Sequence, residues 1–389
     1  MNSKERVRAA IHFNRPDKVP VFNIVSGDVA PLPLIHPKDW NPGFVENEIG
    51  LFPHNKNPSS WKKPDWVDNR PEFEDTNWKR IPHEEVDEWG IIWSMKGNDR
   101  DMGHPGRPSL PDLNKLDDHM KQYNLDASNR GRYKAALNLK SLVSNELYNM
   151  VIFESFGPSH VVSALRGFSN YLMDHVRNPQ ELKKLLNYVA DYHMDAIKMA
   201  FKYGLEPDGF WLSDDLGEQN GPFFNPRIFR KFYEPIYKKI ADAAHELGAD
   251  LHLHCCGKVD RLIPVLIDCG LDSIEFDSPR MSGYNELKQY RGKIMFWGCV
   301  NIQSIYTHGT PEEVEREVWH MVRNLGTKDG GFGAYFYPQP KVIRVSRKNI
   351  KAFGKGLEKY GTYSNIPSKW WDYPTVDLWN DSKVPPLPN

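Results

Sequence analysis

Gly248-Ala249-Asp250-Leu251-His252-Leu253-His254-Cys255-Cys256-Gly257 reads as a strand that follows a helix stop and leaves through a turn. Gly248 suits a helix C-terminus, Asp250–His254 is apolar in β alternation, and Gly257 breaks the run. Alternation directs His254 and Cys256 to one side, where the strand ends. Imidazole nitrogen and thiolate sulfur are ligands that zinc prefers, and in several α/β architectures strand ends carry the chemistry. Cys and His also fill cores, so the stretch by itself is equally a metal site or a buried strand end.

The same pattern recurs on both sides. Upstream, Gly209–Ser213 and 150–154 read as strands. Asn178-Pro179 and Asn225-Pro226 each open a helix with an N-cap and a first-turn proline. The second helix carries Phe229, Phe232, Ile236, Ile240 and Ala243 on one face and runs to Gly248. Downstream come a helix over 259–269 and strands over 272–276 and 293–297. Thr310-Pro311-Glu312-Glu313 opens a helix ending at Gly326, then a strand spans 330–336 and a helix 346–360. Repeated strand–helix alternation with short connections is the signature of a parallel sheet of βαβ units. No Gly-x-Gly-x-x-Gly turn follows a strand, which favours a closed (β/α)8 TIM barrel over a dinucleotide-binding sheet.

The N-terminal part is less regular. Residues 3–13 form an amphipathic helix pattern (Val7, Ala10, Ile11), followed by the strand-like Val19-Pro20-Val21-Phe22. From 26 to 124 the chain is rich in Pro, Trp and charge, as in Pro58-Ser59-Ser60-Trp61 and Lys62-Lys63-Pro64-Asp65-Trp66. Within it, 88–95 alternates like a hairpin strand. Linkers rarely carry this many tryptophans, so the segment is read as an ordered excursion from a single barrel domain, with 361–389 as a C-terminal tail.

Composition bounds the function. The chain has 50 basic and 51 acidic residues, so it carries no electrostatic footprint for nucleic acid or an anionic membrane surface. Four cysteines, two of them adjacent, do not make a disulfide framework and point to a reducing compartment. No signal-like apolar core opens the chain, and no run approaches the ~20 apolar residues of a membrane span. A soluble, cytoplasmic protein is expected. Its 12 Trp, 17 Tyr and 19 Phe suit a pocket for a flat or apolar molecule.

Four blocks resemble the uroporphyrinogen decarboxylase superfamily, which includes cobamide-dependent methyltransferases. They are Lys4 to Ala10 with Arg15-Pro16-Asp17-Lys18-Val19-Pro20; the acidic turn Asp214 to Pro222; His254-Cys255-Cys256-Gly257-Lys258 with the helix at 262–267; and Trp297 to Gln303 with Gly309 to Val314. Porphyrinogen decarboxylases carry an arginine-rich N-terminal stretch that clamps carboxylates. The matching stretch here, Phe22-Asn23-Ile24-Val25-Ser26-Gly27, has no arginine, which argues against that substrate. The methyltransferase branch, by resemblance, holds zinc on His-x-Cys and a further cysteine near the last strand. His254 and Cys256 match the first two ligands, but Gly331 to Gln339 contains no cysteine. Asp214, Asp215, Glu218 and Cys299 are candidates for the third, unless no metal binds.

The resemblance thus implies a corrinoid-dependent methyltransfer from a small methylated compound, with an aryl methyl ether as one candidate, to a corrinoid on a separate carrier protein, with zinc assistance. No Asp-x-His-x-x-Gly segment is present to hold the corrinoid in this chain. A metal-free decarboxylase of a smaller acid and a non-catalytic ligand-binding barrel are the alternatives. The site is expected to contain Glu154, Asp215 and Glu275 as catalytic acids and Asp214, Asn301, Gln303, Tyr335 and Tyr337 as substrate contacts. Each has a structural use too. One aspartate of Asp214-Asp215 can cap a helix, Arg166 and Arg280 can pair Glu154 and Glu275, and Asn301 can brace a turn. Cys255 is expected in the core, Cys269 at a helix end, and His252 as a satisfied barrel histidine one layer below His254. The barrel rim and the Pro/Trp-rich segment offer faces for a homodimer.

Overall fold

A computed structural model describes residues 1–23, 26–37, 51–53, 82–97, 103–373 and 384–387; the Pro/Trp-rich stretches at 58–66 lie outside the described residues. In chain order the strands are β1 (Val21–Phe22), β2 (Val29–Leu34), β3 (Leu51–Pro53), β4 (His83–Val86), β5 (Ile92–Met95), β6 (His104–Pro105), β7 (Tyr148–Phe153), β8 (Gly209–Ser213), β9 (Asp250–His254), β10 (Ser273–Phe276), β11 (Met295–Gly298) and β12 (Phe332–Tyr335). The chain divides into two compact units. One comprises Met1–Ile35, Tyr133–Phe156 and Ile197–Asn389; the other comprises His36–Arg132 and Gly157–Ala196.

The first unit contains an eight-stranded sheet in the order β1-β12-β11-β10-β9-β8-β7-β2, with every pairing parallel. Its two edge strands are bridged by Asp28. The Asp28 amide donates to Val21 O (2.7 Å), and the Asp28 carboxylate accepts from Val21 N (2.8 Å). The sheet is a nearly closed barrel, and the TIM-barrel expectation holds. Parallel strands covered on both faces lose clean polar alternation, and the burial of β8 to β11 follows suit. Phe210 points outward and stacks on Phe153 (5.8 Å between centroids), while its neighbour Trp211 points into the lumen.

Aromatic and sulfur side chains fill that lumen: Phe22, Tyr148, Met150, Trp211, Met295 and Trp297, with Ile152 and Tyr335 packed against them. Each fully buried side chain of this size stabilises by about 1.5–3 kcal/mol. Gly333 makes room for the largest, because a Cβ there would lie 2.4 Å from the Trp297 ring. Helix Ser3–Ile11 adds Val7, Ala10 and Ile11 to the same cluster from below. Its polar face meets carboxylates at the N-terminal strand ends: Lys4 and Arg8 pair with Asp208 (3.1 and 2.7 Å), and His12 with Asp250 (3.2 Å).

Two sequence expectations change. β2 lies within the stretch read as an excursion, so the barrel resumes after 26; its alternating Pro31 and Pro33 disguise a strand that sits at the sheet edge, where proline is tolerated. The helix expected from Asn225 to Gly248 is two helices, Pro226–Phe232 and Glu234–His245. Pro235 has no N–H to continue the first and starts the second. In the other unit β3-β4-β5-β6 form a small sheet in which β4 and β5 are antiparallel, in line with the hairpin alternation at 88–95.

Candidate functional site

The C-terminal ends of β8, β9 and β10 converge on one imidazole. His254 and Glu275 are ladder partners on β9 and β10, so their side chains emerge on the same side. His254 Nδ1 is hydrogen-bonded to Glu275 Oε2, and His254 Nε2 lies 3.2 Å from Cys256 Sγ. The ring is backed by Trp211, stacked at 6.2 Å, and Trp211 stacks in turn on Tyr335 at 5.7 Å.

The loops after β8 and β9 are stitched together at the backbone. Asp214 N donates to His254 O (3.0 Å) and Lys258 N to Glu218 O (2.8 Å). A Cβ on Gly257 would come within 2.1 Å of Gly217 O, so only glycine permits this approach. The contact brings Asp215 to Cys256, whose amide donates to Asp215 Oδ1 at 2.9 Å. Asp215, His254 and Cys256 each offer a donor atom, all within 4.8 Å of one another; His254, Glu275 and Asp277 form a second such group.

Burial pushes the Glu275 carboxyl up to about 8, with Asp277 and Asp215 adding to the effect and His254 opposing it. Burial also raises Asp277. Burial works against a charged His254, yet Glu275 and Cys256 outweigh it and hold the ring well above its ordinary value. Cys256 is exposed as a residue, but the protein around its sulfur strips enough water to push the thiol up to about 12. Glu275 Oε1 and the indole Nε1 of Trp297, its ladder neighbour, are buried polar atoms without a hydrogen-bond partner among the described residues.

Several sequence-level candidates fall elsewhere. Asp214 is 1% exposed and its Oδ2 accepts from Tyr237 OH, so that oxygen is turned into the fold. Neither Asp214 nor Asp215 caps a helix, because the next helix is capped by Asn225. Glu154 is exposed at the end of β7, outside both donor groups. Arg166 bonds Asp174 (2.6 Å), and Arg280 bonds Glu317. Asn301 Oδ1 accepts from Gln303 N (2.9 Å) and Ser304 N (3.2 Å), the turn-bracing use, and Gln303 is exposed. Tyr335 and Tyr337 are partly buried beside the acids.

The core assignments hold. Cys255 is buried with its sulfur accepting from Leu216 N (3.4 Å), and His252 is fully buried between Tyr148 OH (2.9 Å) and Ser273 Oγ (2.5 Å). Cys299 is buried outside both donor groups. Sequence reasoning missed Asp277. The signal was there: Glu275-Phe276-Asp277 repeats the spacing of His254-Cys255-Cys256 one strand further on.

Fold and site together define a TIM-like barrel with a His/Cys/carboxylate cluster at the C-terminal strand ends. The family model for uroporphyrinogen decarboxylase (URO-D) matches residues 94–333 of the 389, and the chain belongs to that family. Methylcobamide:CoM methyltransferase MtbA of Methanosarcina mazei is 26% identical over 214 residues, covering 53% of this chain and 58% of that protein. The chain thus spans less than two thirds of that relative's length. A solved structure, a methyltransferase from Methanosarcina mazei, shares the fold with a TM-score of 0.53 at 16% identity, covering 70% of this chain and 76% of that one. Among the described residues no helix is long and apolar enough to cross a membrane.

Proposed function

We propose that this protein is the substrate-demethylating methyltransferase of a corrinoid system, moving a methyl group from a small methylated compound to a corrinoid held on a separate carrier protein. The carrying observation is the environment of His254: one ring nitrogen on Glu275, the other 3.2 Å from Cys256 Sγ, with Asp215 in the same donor group. Family membership and the kinship with MtbA support the reading.

The donor chemistry fits a divalent ion such as zinc. Mixed nitrogen, sulfur and carboxylate donors suit it, and a carboxylate on the far nitrogen is the usual support of a metal-binding histidine. His254, Cys256 and Asp215 would hold the ion, which when bound supplies a Lewis acid for the lone pair of the methylated heteroatom. The chain's own groups do the rest. Glu275 fixes the His254 ring and its tautomer, and the stack on Trp211 prevents the ring from turning. Asp277, whose Oδ2 lies 3.5 Å from Cys256 Sγ, offers an acceptor for the thiol proton. Tyr335 and Tyr337, both partly buried, would wall the opening and limit water. Where the donor leaves as an alkoxide or phenoxide, Glu275 or Asp277 in its neutral form is the proton source.

The aromatic groups beside the cluster suit an aryl methyl ether as donor. The reducing-compartment chemistry of the thiols suits action inside the cell, and a homodimer belongs to the same proposal. The deciding experiment supplies purified, zinc-loaded protein with reduced free corrinoid and a panel of methylated donors, and follows cobalt methylation by absorbance. Methylation that is lost in Cys256→Ala supports the reading. An active protein that is free of metal sinks it.

A further inference from the structure

Arg323 lies in the last turn of the helix Pro311–Leu325, just before the chain passes Gly326 toward the start of β12. It is 5% exposed, and its Nε and Nη1 are buried without a hydrogen-bond acceptor among the described residues. Burial and the neighbouring Arg291 lower this guanidinium to about 10, which leaves it charged at neutral pH. A buried cation with unused donors is costly unless something supplies the acceptor.

The surroundings hold no acceptor committed to it. Glu317, the buried acid on the same helix, is taken up by Arg280 (3.1 Å) and by Tyr284 OH (2.8 Å). The charged groups that act on Arg323 are Arg291, of like sign, and Asp372. Asp372 is exposed at the end of the turn Ser368–Asp372 and leaves Nε and Nη1 of Arg323 unbonded. Arg291 gives its Nε to Gly326 O (2.7 Å), which leaves its two terminal nitrogens for another acceptor. Arg291 is half-buried, so the pair opens to solvent on that side. The turn beyond is pinned by aromatic contacts, Trp370 edge-on to Trp319 (5.6 Å) and Trp371 stacked on Tyr363 (5.9 Å).

Two neighbouring guanidiniums with no carboxylate bonded to either call for an anion that both can share. A carboxylate brings one charge and two oxygens, enough for one guanidinium fork. A tetrahedral dianion brings two charges and oxygens on several sides, so it can accept from both. We propose that Arg323 and Arg291 form a binding site for a tetrahedral oxyanion, a phosphate either free or carried on a larger ligand. The site is separate from the His254 cluster and independent of the methyl-transfer reading. When filled, it offsets the buried charge and ties the end of the helix Pro311–Leu325 to the segment that leads into β11.

The test uses the full-length chain dialysed into chloride buffer, read by calorimetric titration and thermal unfolding. The probes are inorganic phosphate, sulfate, glycerol 3-phosphate and acetate, each compared with sodium chloride at equal ionic strength. Phosphate and sulfate should bind at one site and raise Tm, with acetate about tenfold weaker or worse. Tighter binding of glycerol 3-phosphate assigns the site to an esterified ligand, and equal affinity assigns it to the free ion. Arg323→Met should weaken phosphate by about tenfold or more, the scale of one charge-assisted hydrogen bond. It should leave the anion-free Tm unchanged or higher, because it removes a buried charge that has no partner. Arg291→Met, at a half-buried position, should show the same loss of binding and serves if the first variant does not fold. Cys256→Ala should bind phosphate as the parent does. Absence of saturable binding, a Tm gain that chloride reproduces, unchanged affinity in folded Arg323→Met, or loss of binding in Cys256→Ala overturns the proposal. An equal drop in anion-free Tm in Arg323→Met and Asp372→Asn also overturns it, since Asp372 is then the partner of Arg323.

Discussion

His254 and Glu275 are ladder partners on adjacent strands, and the carboxylate of one is bonded to the Nδ1 of the other. This relationship points Nε2 toward Cys256 and makes Glu275 a positioning residue for the ligand histidine. Glu275→Gln keeps the shape and removes the charge. Loss of such a partner costs about 10–100-fold in metal affinity, so zinc competition with a chromophoric chelator should show a drop of that size in a protein with an unchanged melting curve. Unchanged affinity would assign Glu275 to substrate alone.

Cys256→Ala should remove stoichiometric zinc, measured by elemental analysis after dialysis, whereas Cys269→Ala should not. Cys269 is buried near Glu234 O (3.6 Å), in neither donor group. Asp215→Asn should give an intermediate loss, because an amide is a weaker ligand than a carboxylate.

Two glycines hold the site in shape. Gly257→Ala would drive a Cβ into the Gly217 carbonyl at 2.1 Å, and Gly333→Ala would press on the Trp297 ring at 2.4 Å. Each should destabilise by about 1–3 kcal/mol, seen as a lower Tm. Gly257→Ala should also reduce zinc affinity by separating Asp215 from Cys256, while Gly333→Ala, deeper in the lumen, should affect stability first. Equal effects on zinc would contradict the loop contact as the cause.

Tyr148 OH donates to Asp250 Oδ2 (2.6 Å) and lies 2.9 Å from His252 Nε2, all buried at the base of the barrel. Tyr148→Phe strands two polar groups, and denaturant unfolding should show a loss of about 1–3 kcal/mol with metal binding intact.

Acid sensitivity should include a contribution from His320. Burial holds this residue near 4, and its Nε2 donates to Pro385 O at 3.0 Å. The unfolded chain takes up a proton near the ordinary histidine value of about 6.5, while the folded chain resists until about pH 4. Stability is therefore lost as pH falls through this window, and above it His320 adds no pH dependence. Unfolding of His320→Gln, followed from pH 7 to pH 4, should show a shallower decline than the parent.

Much of this was legible in the chain. Glycines, proline caps and apolar runs marked the strands from β7 onward, because each feature acts on its own few residues. Alternation alone put His254 with Cys256 and buried Cys255. β2 escaped because its prolines deny a strand pattern that only an edge position makes acceptable. Glu154, Asp214 and Gln303 looked equivalent to Asp215 and Glu275, since all sit at strand ends or in the turns beyond.

By itself, then, the sequence determined a parallel α/β architecture and the polarity of its strand ends, properties carried by local conformation and burial. Tertiary structure decided which of those polar groups meet. Strand order set Glu275 beside His254, and two glycines let the loops after β8 and β9 touch, so that Asp215 faces Cys256 while Asp214 turns to Tyr237. Those contacts depend on register and on backbone approach between segments 21 to 41 residues apart. Alternation within a strand cannot encode them, because it fixes the side a residue faces but not the neighbour it finds there.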